Sequence, residues 1–129
     1  AEALVITSLR LSRAGRSAEA LAALAEARAV YEPLDHPELG SVDNYTGLAL
    51  TDLGRFAEAE RAFERAAARF AKELGADSVL TVNALSNEAY AVIEQGRIVE
   101  AQAMFERSVA ALRTSAARPS TSRVGATRW

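Results

Sequence analysis

The side chains that could do chemistry in this chain are few and poorly placed for it. His36 is the only histidine and there is no cysteine, so neither a catalytic triad nor a histidine-rich or thiolate metal site can be assembled. At the start of a helical segment, His36 reads as a linker residue. Glu58 with Glu60, and the acids between 94 and 106, offer the only carboxylate pairs worth weighing for acid-base work. They fall among Arg61 and Arg65 at helical spacing, where solvated pairing accounts for them. The glycines stand singly, so no phosphate-binding loop is written here. These residues assign no catalytic group, no metal and no cofactor, and the expectation is a protein that is not an enzyme.

The single glycines instead mark an internal repeat. Gly15-Arg16-Ser17-Ala18-Glu19-Ala20, Gly54-Arg55-Phe56-Ala57-Glu58-Ala59 and Gly96-Arg97-Ile98-Val99-Glu100-Ala101 align at spacings of 39 and 42 residues. Seven residues before each glycine stands a small residue (Ser8, Gly47, Ala89), and four before it an aliphatic one (Leu11, Leu50, Val92). Five after it stands alanine (Ala20, Ala59, Ala101), nine after a large apolar residue (Leu24, Phe63, Phe105), and twelve after a small one (Ala27, Ala66, Ser108). Steps of three, four and seven on both sides of a glycine describe two amphipathic helices joined by a tight turn. Small residues at the crossing let the two approach, with the large ones filling the space beside them. The pattern predicts helices over 2–13, 17–33, 38–53, 56–74, 78–95 and 98–113. Phe63 and Phe105, in equivalent positions, are expected in the core.

These registers resemble the tetratricopeptide repeat. The 42-residue spacing, Asn44 and Asn87, and the linker pieces Leu74-Gly75 and His36-Pro37 are similar to its kinesin-light-chain variety. Ser17, Thr46 and Glu88 depart from the family's preferences, an aromatic at the first and leucine at the other two, and its closing proline is missing. The resemblance implies an all-α fold: an α-solenoid of three antiparallel helical hairpins forming a superhelix, with repeats at 1–36, 37–76 and 77–113.

It also implies a function. In this family the first helices line a concave groove that binds a peptide or partner protein. Carried over residue by residue, the groove comprises Val5, Leu9, Arg13, Asn44, Leu48, Asp52, Asn83, Ser86, Tyr90 and Glu94, with Glu2, Ser12, Ser41, Thr51 and Ile93 beside them. Leu48 and Tyr90 offer apolar contact, Asn44 and Asn83 can hydrogen-bond a peptide backbone, and Asp52 with Glu94 favour a basic side chain. The lysine, arginine and asparagine clamp of the family's chaperone-tail receptors is absent: its positions hold Val5, Leu9, Asn44, Leu48, Ser86 and Tyr90. Rival readings are an array for self-association or spacing, and the sensor arm of a signalling kinase or transcription activator.

Charge and composition bound the partners. Residues 1–106 carry all 17 acids against 10 basic residues, a balance of −7, while residues 107–129 carry five arginines and no acid. An acidic body argues against nucleic acid as partner. No apolar run is long enough to span a bilayer and the first thirteen residues lack a signal-peptide pattern, so the expectation is a cytoplasmic location with no membrane partner. Arginine outnumbers lysine fourteen to one, an impression of bacterial coding bias. The absent initiator methionine suggests a fragment of a larger regulatory or scaffolding protein. The Ser, Thr, Pro119 and Gly125 of residues 114–129 predict a basic, disordered tail.

Overall fold

The computed structural model describes residues 16–117. Five α-helices follow one another: α1 (Ser17–Tyr31), α2 (Leu39–Asp52), α3 (Phe56–Leu74), α4 (Val79–Glu94) and α5 (Ile98–Ala117), with a 3₁₀ turn at Glu32–Leu34. The helix expected at 2–13, with Val5, Leu9 and Arg13, lies outside the described residues. Each helix packs chiefly on its neighbours in the chain. Such an architecture is quasi-one-dimensional.

The turns explain the repeat of the glycine. Gly54 and Gly96 adopt φ of 75° and 83°, where a side chain would be strained. The amides of Arg55 and Arg97 then reach back to the carbonyls of Leu50 and Val92, five residues earlier, closing α2 and α4. The arginine that follows each glycine grips the glutamate three residues on: Arg16 with Glu19, Arg55 with Glu58 and Arg97 with Glu100. These pairs are exposed and individually weak, but all three favour the same start of the second helix. Glu58 is therefore held by Arg55 rather than by Arg61 or Arg65. Glu60 also differs from expectation, because it accepts hydrogen bonds from Gln95 and Arg97, tying α3 to the α4–α5 turn. Burial pushes its carboxyl up, but these donors outweigh that and hold it below the usual range.

Two boundaries moved for local reasons. The first helix stops at Tyr31 because Pro33 lacks an N–H, and the chain tightens into the 3₁₀ turn. The last runs to Ala117, beyond the expected 113, through an alanine-rich turn in which the Thr114 hydroxyl donates to the carbonyl of Ala110. Residues 114–117 thus belong to α5, and the remainder of the expected tail, 118–129, lies outside the described residues. His36 precedes α2, its Nδ1 accepting the amide of Glu38 at 3.0 Å and its ring stacked on Tyr31.

Packing follows the small-large alternation. Ala20, Ala59 and Ala101 are fully buried, as are Ala27 and Ala66. A Cβ built on Gly47 would lie 2.5 Å from the Phe63 ring, and one on Gly40 2.6 Å from Phe70, so α2 meets α3 backbone to ring. Phe63 is 1% exposed, enclosed by Leu50, Ala59, Ala62 and, from the following repeat, Ala91. Phe105 departs from its expected core role: it is half-buried, because α5 has no following helix among the described residues to cover it.

This contact generates a test. Gly47→Ala gains helix propensity of about 1 kcal/mol but places a methyl inside the Phe63 ring, an overpacking that costs about 1–3 kcal/mol. The expected outcome in urea denaturation is a lower midpoint, partly restored when Phe63→Leu is added. An unchanged midpoint would contradict this register.

Candidate partner-binding face

The face formed by the first helices α2 and α4 carries the groove residues expected from the repeat register. Leu48 and Tyr90 each follow the small crossing residue of their repeat, Gly47 or Ala89, and remain 36% and 48% exposed. Asn44 and Ser86 are half-buried, while Asp52, Asn83 and Glu94 are exposed. Asn87 donates from Nδ2 to Oδ1 of Asn44 at 3.4 Å, joining the two helices across the repeat boundary. Asn87 lies outside the expected set: it stands nine residues before Gly96 whereas Asn44 stands ten before Gly54, so repeat register does not pair them. Asp52 is partly engaged, its Oδ2 accepting the hydroxyl of buried Ser17 at 3.2 Å. None of its seven expected residues lines any of the three recesses described next.

Those recesses lie among the second helices. One of about 580 Å³ runs along α5 between Ile93, Ile98, Phe105, Val109 and Arg113. A second, of about 260 Å³, lies where α2 passes between α1 and α3 and includes Arg28, Asp43, Thr46 and Arg65. Asp43 is 3% exposed there. Arg28 of α1 bonds its Oδ1 directly, and Arg65 of α3 approaches the same oxygen at 3.5 Å. A carboxylate withdrawn from water needs such partners, and this one has two.

The third recess, of about 290 Å³, lies between α3 and α4 and is lined by Ala67, Ala68, Ala71, Leu85 and two acids, Glu64 and Glu88. Glu88 is 9% exposed and has no hydrogen bond or ion pair with any described residue. Burial first, then the negative charge of Glu64 and Glu60 from α3 and of Glu100 from α5, pushes its carboxyl up to about 7, against an opposing pull from Arg107. A raised acid favours the fold in its protonated form, so the native state is favoured below the unfolded value of roughly 4.3 and loses that advantage as pH climbs through about 7. Glu88→Gln is expected to raise the unfolding free energy at pH 8 by about 1–3 kcal/mol and to change it little at pH 4, as read by chemical denaturation at both. A gain equal at the two pH values would refute a charged, buried carboxylate.

No helix among the described residues is long and apolar enough to cross a membrane, and none of their acids and histidine gather in a group that could hold a metal. No curated protein matches the chain. A family model, that of the tetratricopeptide repeat, matches residues 38–114, the stretch that holds α2 to α5 with their Gly-Arg turns and alanine crossings. The chain belongs to the tetratricopeptide repeat family, an all-α array of helical hairpins.

Proposed function

We propose that the face of α2 and α4 binds a peptide or an extended segment of a partner protein. Repeats of this family mediate protein–protein interaction. The observation that supports a site on this face is the pair Leu48 and Tyr90, large apolar side chains left in solvent at the same register of successive first helices. Tyrosine buries much area at low entropic cost and keeps a hydroxyl for a hydrogen bond, which suits an anchor. Asn44, Asn83, Ser86 and Asn87 supply donors and acceptors for a peptide backbone, and Glu94 with the free edge of Asp52 favours a basic residue. In the region before residue 16, Val5, Leu9 and Arg13 extend the same register. No catalytic residue and no cofactor enters this reading. This reading fits a partner-recruiting role in a bacterial regulatory or scaffolding protein of the cytoplasm.

Peptides selected from a random display library against the whole chain would supply a ligand. Tyr90→Ala is expected to weaken the selected peptide about tenfold or more, and Asn44→Ala severalfold, with helicity unchanged. Arg61→Ala, on the exposed side of α3, is expected to leave affinity intact. Equal losses in all three would remove the site from this face. Self-association is favoured by a different observation, the apolar recess along α5 with Val109 and Leu112 still 46% and 44% exposed. Light scattering decides it: a dimer that Val109→Glu converts to monomer would make that helix the working surface.

A further inference from the structure

The two junctions of the array treat a buried carboxylate differently. In the first, α2 lies between α1 and α3, and guanidinium groups from both flanking helices reach Asp43. Arg28 stands thirteen residues after Gly15, and Arg65 eleven after Gly54. In the second junction, α4 lies between α3 and α5. The residue eleven after Gly96 is again an arginine, Arg107, but the residue thirteen after Gly54 is Ala67. Where the first junction has the Arg28 side chain, the second has a methyl group and a recess floored by Ala67, Ala68 and Ala71.

That arginine is lost, and the carboxylate sits elsewhere: the register of Asp43 holds Leu85 in the second junction. Glu88 occupies the repeat register of Thr46, which lines the first recess together with Arg28 and Arg65, and it lies one turn along the helix from the register of Asp43. It is buried to nine-tenths, borders the recess, and meets no donor among the described residues. Arg107 makes no ion pair with it, and the charges that act on it more strongly, Glu64 and Glu60, are of its own sign. A buried charge without a partner is costly, and in its protein's own first junction the solution is a guanidinium.

We propose that the recess between α3 and α4 is a receptor for an arginine side chain supplied by a partner polypeptide, with Glu88 as its inner carboxylate and Glu64 as its outer one. The alanine floor with Leu85 takes the aliphatic stem, and the two acids take the planar head, the division of labour that arginine's amphipathic chain allows. The bound guanidinium would stand where Arg28 stands in the preceding repeat. The site is separate from the face of Leu48 and Tyr90 and does not depend on it.

The probe is N-acetyl-arginine amide, titrated into the whole chain while the Glu88 carboxyl and the methyl groups of Ala67, Ala68 and Ala71 are followed by NMR. Saturable shifts confined to these residues are expected, with a dissociation constant on the order of millimolar for one side chain. N-acetyl-citrulline amide, the same shape without charge, is expected to bind at least about tenfold more weakly. Because Glu88, facing Glu60 and Glu64 on α3 and Glu100 and Arg107 on α5, titrates near 7, binding of the probe is expected to weaken about tenfold from pH 8.5 to pH 5.5. Glu88→Gln is expected to remove both the binding and its pH dependence. Ala67→Arg, which restores the side chain of the first junction, is expected to lower the Glu88 titration and exclude the probe; should that variant not fold, Glu88→Gln decides alone. Unaltered binding in Glu88→Gln, equal binding of the citrulline compound, or shifts at Asn44 and Tyr90 instead would overturn the proposal. Tighter probe binding by a chain carrying Gln at 118, 123 and 128 would also overturn it, by assigning the recess to the protein's own arginines.

Discussion

The approach of α2 to α3 through Gly47 and Phe63 is the contact on which the array depends. A ring lies where a Cβ would have to be, so the helices cross closer than any side chain at 47 would allow, and Ala59 beside it is fully buried for the same reason. Closeness of this kind fixes rotation as well as distance, because only one face of α3 presents Ala59, Ala62, Phe63, Ala66, Ala67 and Phe70 at the needed steps. Ala91 of the next repeat belongs to the same buried cluster as Phe63, so the packing that seals one hairpin also seats the following one. A repeat protein has no other way to be stable: each unit leaves an apolar face that only its neighbour can cover. Phe105 shows the converse, since the equivalent ring at the end of the described array stays half in solvent beside the α5 recess.

Once the crossings are set, charge has little freedom on the side where three helices meet. Residues of α2 and α4 that line these recesses are wholly or partly withdrawn from solvent: Asp43 and Glu88 are buried, Thr46 and Leu85 half-buried. Asp43 accepts this with Arg28 and Arg65 around it, and Glu88 accepts it with acids for neighbours. Three registers differ, Arg28 corresponding to Ala67, Asp43 to Leu85 and Thr46 to Glu88, and together they replace a closed ion-pair cluster by a recess with an acidic wall. Repetition makes such a change legible, because one junction is the control for the other.

Much of the fold was written in the sequence, and the reason is the same repetition. Six register positions recurring about three glycines located the helices of residues 17–113, and those within the described residues place their small and aliphatic members in the core. The miss at Phe105 came from treating equivalent positions as equivalent environments, although burial depends on the following helix and not on register alone. The miss at 33 was local, a proline that periodicity does not weigh. Cross-repeat partners were harder: Glu60 with Arg97, and Asn44 with Asn87, join residues 37 and 43 apart, and no spacing rule for a single helix predicts them. Glu88 had a signal, a carboxylate where the family prefers leucine, but its meaning needed the helices on both sides.

The face of α2 and α4 and the recess behind α4 therefore differ in how they can recognise anything. The open face keeps its side chains wet, so Leu48 and Tyr90 gain only when a ligand covers them, and selectivity there must come from many shallow contacts. The recess already withdraws most of Glu88 from water, and that cost stands whether or not a partner is present. A guanidinium entering it gives up hydration of its own but supplies Glu88 with the partner it lacks, so a single side chain can matter more than its area suggests. The family's small crossing residues make both possible at once, since they bring second helices near enough to bury a carboxylate while leaving the first helices free to face solvent. In the proposed reading recognition uses both sides of α4, Tyr90 on one and Glu88 on the other, while the same helix supplies buried Ala84, Ala89 and Val92 to the core.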